Sequence, residues 1–299
     1  MYLPIWEPHK IIFSSICFII LLFCVGILQA QIIQHSPAGG NYLILDGEND
    51  YAILDFDEFG VLFEEGTKVL TVEAWVYPTL FPDEDIYATI IGQQVMIYAV
   101  GHGHPIHKDA KNWIDLNNDD LVLMMFAYTG PNFGTGTMYL ALSRHKWHHI
   151  AFQAQDGQLT WICDNTWDSL PWGIEGIAHD LAEIVNIPSV DFVLGGYGRK
   201  INRKNVTWGS FAGFIDEVRV SDIPRYDIEG ELIPQERFEP DANTIALWHF
   251  DEKRGTRIFR DSSGNGYHLT GMNGSSVDGT FAVNRYDKLT MTWAAIKIN

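Results

Sequence analysis

The sequence has little cysteine. Three cysteines occur among 299 residues, and two of them, Cys17 and Cys24, lie in an apolar segment near the N-terminus. If that segment is removed, Cys163 is left with no cysteine to pair with, so an intramolecular disulfide is excluded. Export without disulfides would leave packing, or a metal ion, to stabilise the fold.

Positive charge is also scarce. The chain has 20 Lys and Arg against 38 Asp and Glu, which gives a formal net charge of −18. Nucleic acids and anionic lipid surfaces are poor partners for such a chain, because both are bound through clustered cations. The surplus of carboxylates could simply be a solvated surface, or it could supply oxygen ligands for a hard cation such as calcium.

Long amphipathic helical patterns, internal repeats and low-complexity segments are missing too. Short runs with period-two alternation take their place, and residues 70–77 are the clearest of them. The turn Asp156-Gly157 between two such runs is a strong hairpin signal. Many short strands with closely spaced turns predict an all-β fold, a sandwich of two antiparallel sheets.

The N-terminus has the pattern of a secretory signal peptide. An apolar run at residues 16–28 follows His9 and Lys10, and Ala30 offers a small residue for cleavage. We therefore predict a signal peptide over residues 1–30 and a secreted or cell-envelope protein that leaves the membrane after cleavage. An uncleaved membrane anchor is the alternative, since the run approaches spanning length when it is counted from Ile11.

The strand pattern at residues 210–221 carries an unusual acid. Strict alternation from residue 214 predicts that Asp216 shares a face with apolar side chains, while Glu217 points to the opposite face. A carboxylate on an apolar face needs hydrogen-bond donors, a cation or a proton. The partner of Asp216 is therefore the main question that this strand raises.

Several segments, in this order, resemble the laminin-G-like jelly roll, also called the concanavalin A-like lectin fold. They are L-D-G-E-N-D-Y-A (45–52), L-T-V-E-A-W-V-Y (70–77), W-H-H-I-A-F (147–152) with its Asp-Gly turn, L-G-G (194–196) and F-A-G-F-I-D-E-V-R-V-S (211–221). Together they span roughly residues 41–226. The resemblance implies a two-sheet jelly roll with a bent concave face, ligand contacts on rim loops, and binding of sugars, glycosaminoglycans or extracellular proteins, frequently with calcium.

A family-like piece also occurs near the end of the chain. It reads A-L-W-H-F-D-E (246–252) and then D-S-S-G-N-G-Y-H (261–268), a segment that commonly opens such a domain. Too few residues follow it for a second sandwich, so we predict that residues 244–271 close the first one. The predicted domain then covers residues 31–276, and residues 277–299 form a tail.

Calcium is the metal that the acidic residues suggest. Asp46 and Asp50 crowd one turn, and with Asp216 they could supply part of the six to eight oxygen ligands that calcium takes. The alternative is that Asp46 only stabilises a turn and that Asp216 accepts hydrogen bonds from backbone or side-chain donors. The acidic turn at residues 261–266 lacks the bidentate glutamate of an EF-hand loop, so we expect a glycine-rich turn there.

Tryptophans suggest a binding surface. Trp167 and Trp172 lie in a region rich in turns, and exposed Trp faces stack on sugar rings, so we predict that both contact ligand. The alternative is that both pack at the edge of the sandwich. Trp161 lies inside a strand and is expected to pack in the sandwich. His102, His104 and His107 could form a transition-metal site, but a Gly-Pro loop without cysteine favours a solvated loop.

A catalytic role has less support in the sequence. Glucanases of the same fold use acids at alternate positions of one strand, whereas Asp216 and Glu217 are adjacent and are predicted to face apart. We therefore predict a non-catalytic module that binds carbohydrate or another surface ligand. A structural or adhesive domain that binds protein partners is the second hypothesis, and a glycoside hydrolase is the third.

Overall fold

A sandwich of two β-sheets makes up the part of the chain described by the computed structural model: residues 35–127, 139–155, 157–171, 190–198, 201–203 and 206–279. The predicted signal peptide at residues 1–30 and Trp172 lie outside these residues, as does most of the predicted tail. The described strands belong to the unit that runs from Gln34 to Asn299.

The first sheet has eight strands. They are β1 Leu43–Asp46, β3 Leu70–Pro78, β8 His148–Gln155, β9 Gln158–Cys163, β10 Thr166–Pro171, β14 Ala212–Ser221, β15 Thr244–Trp248 and β18 Ser276–Val277. Their spatial order is β10-β9-β8-β3-β14-β1-β18, and β15 pairs with the C-terminal half of β14.

The second sheet has ten strands. They are β2 Tyr51–Leu54, β4 Ile86–Gly92, β5 Val95–Val100, β6 Asp120–Ala127, β7 Leu140–Ser143, β11 Phe192–Leu194, β12 Ile201–Arg203, β13 Val206–Ser210, β16 Ile258–Phe259 and β17 Leu269–Met272. Their order is β16-β17-β2-β11-β4-β5-β6-β7, with β12 paired to β13 and β13 to β4. The pair β13–β4 is parallel, and the other pairs are antiparallel.

Two short helices accompany the sheets, α1 (Phe56–Phe59) and α2 (Pro105–Ala110). Neither these nor any other helix in the described residues is long and apolar enough to cross a membrane. The predicted all-β sandwich is therefore confirmed for the described part of the chain.

Alternating residues of each sheet fill the core between the sheets. Leu70, Val72, Ala74 and Val76 of β3 face inward, as their spacing predicts, and pack with residues such as Phe152. The opposite face of the first sheet, which we call its outer face, carries the other alternating set of side chains. Because β3 is buried along its whole length, this outer face is covered as well.

The predicted face assignment for β14 is wrong, because the strand contains a β-bulge. The pairing between β14 and β3 shifts between Asp216 and Arg219, and Glu217 takes a φ of 50° inside the strand. Ile215 and Val218 therefore both face the core. An extra residue in one strand reverses the alternation after it, so Asp216, Glu217 and Arg219 all lie on the outer face.

The segment predicted to close the sandwich contributes strands to both sheets. It supplies β15 to the first sheet and β16 and β17 to the second, and β18 then pairs with β1. Val277 and Asp278 are buried. The ordered sandwich thus extends past the predicted boundary at residue 276.

Candidate ligand-binding groove on the first sheet

The chain between β14 and β15, residues 222–243, lies on the outer face of the first sheet; we call it the connector. The Thr71 hydroxyl donates to the Ile223 carbonyl at 2.8 Å, and Trp75 Nε1 donates to the Gln235 carbonyl at 3.1 Å. Phe238 is fully buried. These contacts fix the connector over β3 and β14.

A buried ion network lies beneath the connector. Arg219 places Nε 2.8 Å and a terminal nitrogen 2.7 Å from Glu73 Oε1. His149 Nε2 lies 3.2 Å from Glu73 Oε2, and the Tyr226 hydroxyl donates to the same oxygen. The Arg219 guanidinium also stacks over the Phe238 ring, 4.5 Å from its centroid.

The network holds Glu73 in its ionised form. Burial by itself raises the pKa of a carboxyl group, but the hydrogen bond from His149 and the charge of Arg219 outweigh it, so the pKa of Glu73 lies below its usual value. Tyr226 belongs to the connector, so this network also ties the connector to the sheet.

Glu217 makes a second buried anchor. Its Oε2 accepts from the Phe238 backbone N–H at 2.7 Å, and its Oε1 lies 2.7 Å from His249 Nδ1 and 3.5 Å from Arg237. A positive φ costs a non-glycine residue roughly 1–2 kcal/mol, so these contacts offset a real strain. The bulge is the feature that brings this carboxylate to the outer face.

Asp216 has no cation as a direct partner among the described residues. Its two oxygens accept from the Ser36 hydroxyl and, at 2.9 Å, from the Glu217 backbone N–H. Burial, together with the neighbouring charge of Glu217, raises the pKa of Asp216 well above its usual value despite the Ser36 hydrogen bond. The raised pKa means that burial favours the protonated form of the Asp216 carboxyl group.

Because the pKa of Asp216 is raised in the folded state, the protein should lose stability as pH rises and this group loses its proton. A raised folded-state pKa contributes stability below the unfolded value of about 4, and this contribution is lost as pH rises through the folded pKa. Asp216→Asn, an isostere of the protonated acid, should therefore melt increasingly above wild type as pH rises above about 4. Thermal melts of both proteins across this range measure the difference. A variant that melts below wild type at every pH would show that the ionised carboxylate is required, for example as a calcium ligand.

The predicted separation of Asp216 and Glu217 onto opposite faces is wrong. The bulge places Asp216 and Glu217 on the same face as Glu73, whereas simple alternation puts them on opposite faces. All three side chains are fully buried, however, with partners from the connector, Ser36 and His249. Substrate could reach them only if these covering segments moved away.

The connector leaves part of the outer face open, and a groove of about 530 Å³ lies there. Amide and hydroxyl side chains form one side, and the start of the connector forms the other. The lining residues are Gln153, Gln155, Gln158, Thr160, Pro224, Arg225, Tyr226, Asp227, Ile228 and Glu229. This volume falls in the range that holds small ligands.

Two residues keep the groove in shape. Gln153 Oε1 accepts from the backbone N–H groups of Arg225 and Tyr226 at 2.8 and 2.9 Å, and its Nε2 donates to the Tyr226 carbonyl at 2.9 Å. Arg225 forms a bidentate pair with Asp241 at 2.6 and 2.8 Å. The groove wall is therefore fixed to the sheet before any ligand binds.

Trp167 of β10 lies on the same face of the sheet as the groove, although it is not one of the lining residues. It is paired with Ile162, which lies on the outer face and packs with Ala151 and Leu232, so Trp167 shares that face. The side chain is 42% exposed. Ser169, the next residue of β10 on this face, is about 7 Å further along the strand, and its hydroxyl accepts from the groove residue Gln158 at 2.7 Å. Trp161, as expected, is buried and donates to the Met125 carbonyl.

The structure does not bring the three predicted calcium ligands together. Asp46 pairs with Ala212 across the sheet, four positions from Asp216, which is a strand distance of about 13 Å. Asp46 Oδ1 accepts from the N–H groups of Glu48, Asn49 and Asp50 at 2.8–3.2 Å. These bonds are the turn geometry that the alternative predicts, and a calcium ion at Asp46 and Asp50 stays a prediction.

Calcium at this turn has a direct test. An ion that binds only the folded state at 100 times its Kd would raise the free energy of unfolding by about 2.7 kcal/mol. We expect the melting temperature in calcium to fall when EGTA is added. Asp46→Asn keeps the turn but removes the charge, and should abolish the shift. A melting temperature that EGTA leaves unchanged would discard the calcium prediction.

The sequence predicted a solvated loop around His102, His104 and His107. That prediction is wrong, because this segment packs against the second sheet. His104 and His107 are buried on the outer face of the second sheet. His107 Nε2 lies 3.0 Å from the Asp120 carbonyl, and His104 Nδ1 accepts from the Ile106 N–H at the start of α2. At the other acidic turn, Asp261 accepts from the N–H groups of Leu247 and Ser263, which matches a glycine-rich turn.

Several solved structures are similar to this chain at low sequence identity. A candidate carbohydrate-binding protein from Bacteroides ovatus matches with a TM-score of 0.51 and 17% identity over 80% of this chain, which spans 59% of that protein's length. A heptameric pentraxin from Limulus polyphemus has a TM-score of 0.39 and 11% identity over 64% of this chain and 79% of its own. Domains LG4-5 of the mouse laminin α1 chain have a TM-score of 0.37 and 13% identity over 66% of this chain and 45% of their own.

Sequence comparisons add no family to this result. No family model matches the chain, and no curated protein matches it. At 17% identity the first structural match shows the fold alone. The chain is a jelly-roll β-sandwich, and membership of the laminin-G-like family stays a prediction.

Proposed function

We propose that this chain is an exported, non-catalytic module that binds neutral carbohydrate in the groove beside Trp167. The exposed Trp167 indole on the same face as a polar groove carries the proposal. An aromatic plane packs against the apolar face of a sugar ring, while amide and hydroxyl groups bond the ring hydroxyls. Gln155 and Gln158 supply amides along the groove.

The charges of the groove support a neutral ligand. Arg225 is the one cation among its lining residues, and its guanidinium is already paired with Asp241. Asp227 and Glu229 add exposed carboxylates. An anionic glycan would meet like charge at this wall, which disfavours binding. Glycosaminoglycans, which the family resemblance allows, are therefore poor ligands for this groove.

The proposal of a non-catalytic role rests on the covered acids. Retaining and inverting glycosidases need two carboxyl groups that flank an accessible bond. The carboxyl groups of Glu73, Asp216 and Glu217 are enclosed, and Glu73 is saturated by Arg219, His149 and Tyr226. The proposal of export rests on the N-terminal sequence pattern.

A glycan array that contains both neutral and acidic polysaccharides tests the proposal. We expect binding to neutral glycans that is insensitive to salt, with no release of reducing ends on prolonged incubation. Binding confined to sulfated or uronic glycans would overturn the neutral-ligand proposal. Turnover of a polysaccharide would support the hydrolase, and a protein partner that free glycans fail to displace would support the adhesive domain.

A further inference from the structure

Three side chains of metal-binding type meet at the end of the β8–β9 hairpin, on the core-side edge away from the groove. They are His148, Cys163 and Asp164, and one ligand atom from each lies within 4.8 Å of the other two. None of them belongs to the residues predicted to bind calcium. The hairpin pairing of Ile150 with Cys163 fixes both strands at this point.

Neighbouring groups aim these atoms at one another. His148 Nε2 lies 3.0 Å from the Ser143 carbonyl, which can only accept, so Nε2 carries a proton and Nδ1 faces inward. Asp164 Oδ1 accepts from the His149 backbone N–H at 3.0 Å, which leaves Oδ2 facing Nδ1 at 2.8 Å. A ring nitrogen oriented by a backbone carbonyl behind it is the usual support of a metal-bound histidine.

The distances are close to those of a tetrahedral zinc site. Nitrogen and oxygen ligands of zinc lie about 3.3 Å apart, and sulfur and nitrogen ligands about 3.6 Å apart, when the bonds have their usual lengths. The Nδ1–Oδ2 distance is 2.8 Å and the Cys163 Sγ–His148 Nδ1 distance is 4.0 Å. An increase of about 0.5 Å in the Nδ1–Oδ2 distance and a decrease of about 0.4 Å in the Sγ–Nδ1 distance would bring both to the zinc values.

We propose that His148 Nδ1, Cys163 Sγ and Asp164 Oδ2 bind a transition-metal ion of the Zn²⁺ class, with water in the fourth position. A set of nitrogen, sulfur and carboxylate ligands selects such ions, whereas calcium takes oxygen ligands alone. The Asp164 side chain is 32% exposed, while that of His148 is 3% exposed. The ion and its water reach the site from the carboxylate side.

The competing explanation is an ion pair without metal. In it His148 is an imidazolium that donates to Asp164, with Lys146 3.5 Å from the same carboxylate. Cys163 is then a buried core residue whose thiol donates a weak hydrogen bond to the Ala141 carbonyl at 3.5 Å. The two explanations differ in whether the sulfur binds an added metal.

Cobalt titration of the full chain, freed of metal by a chelator, separates them. We expect Co²⁺ to produce a thiolate-to-cobalt charge-transfer band that saturates at one equivalent and is displaced by Zn²⁺ but not by Ca²⁺. Cys163→Ser should abolish the band, and Asp164→Asn should weaken binding at least about 10-fold. His145→Asn, a nearby histidine whose positive φ asparagine tolerates, is the control and should bind as wild type does.

Two results would overturn the proposal. Absence of the band in folded wild type with excess Co²⁺ favours the ion pair. A band or a zinc-induced rise in melting temperature that survives in both Cys163→Ser and Asp164→Asn places the metal elsewhere in the chain. Because the first result is measured on wild type, it holds even if a variant fails to fold.

Discussion

Glu73→Gln should lower the free energy of unfolding by about 3–5 kcal/mol, the usual effect of removing one partner from a buried ion pair. Glu73 is fully buried, and its carboxylate receives Arg219, His149 and Tyr226. The amide would leave the Arg219 guanidinium without a counterion beneath the connector. The connector should then loosen together with the groove wall that Tyr226 and Arg225 form.

Urea unfolding at neutral pH measures the loss, and the melting temperature should fall by about 10 °C for a domain of this size. Asp119→Asn is the matched control, because it makes the same chemical change in an exposed pair with Arg144. A surface pair contributes at most about 1 kcal/mol. Equal losses in the two variants would show that the Glu73 network does not stabilise the connector.

The same comparison has a predicted pH dependence. Because the folded pKa of Glu73 is lowered, its contribution is present above the unfolded value of about 4.3 and is lost as pH falls through the folded pKa. The gap between wild type and Glu73→Gln should therefore narrow in acid. A gap that stays constant down to acid unfolding would mean that the charge of Glu73 is not the cause.

The strands could be predicted from sequence because the core obeys simple alternation. Every second residue of β3 faces the core, and the predicted sandwich followed from such runs. The prediction failed at β14, where a bulge at Glu217 reverses the faces. Alternation has no marker for an inserted residue when a glutamate, not a glycine, takes the positive φ.

The groove could be predicted only in part. Trp167 was identified from its residue type, since an exposed tryptophan near a turn has few structural uses. Gln153 and Arg225 were missed, because their role depends on the connector folding back over β8, 72 residues distant in sequence. The alternation at residues 152–155 predicts a polar outer face at Gln153 and Gln155, but it does not predict that the connector folds over that face.

The prediction of a solvated loop at His102, His104 and His107 failed for a related reason. A Gly-Pro segment rich in His and Asn is typical of solvated loops, yet α2 packs on β6 and the second sheet's outer face. His107 is buried there because its ring nitrogen satisfies the Asp120 carbonyl. Local composition does not report such tertiary contacts, so residue type alone could not separate this loop from a metal site or a solvated one.

Trp167→Ala should weaken carbohydrate binding about 30-fold, which corresponds to about 2 kcal/mol, the loss expected when a central aromatic contact is removed. The indole is 42% exposed on the groove face, so its removal takes away the stacking plane without opening the core. Trp167→Phe keeps an aromatic plane and should recover most of the affinity. Calorimetric titration with the best neutral glycan from the array measures all three proteins.

Trp113→Ala is the matched control for this prediction. Trp113 is 74% exposed but follows α2, which packs on the second sheet, so it lies on the other face of the sandwich from the groove. Its removal deletes the same side chain from the surface, and the affinity should stay within about twofold of wild type. If Trp113→Ala weakened binding and Trp167→Ala did not, the ligand would bind the second sheet's face. The polar groove beside the connector would then not be the carbohydrate-binding site.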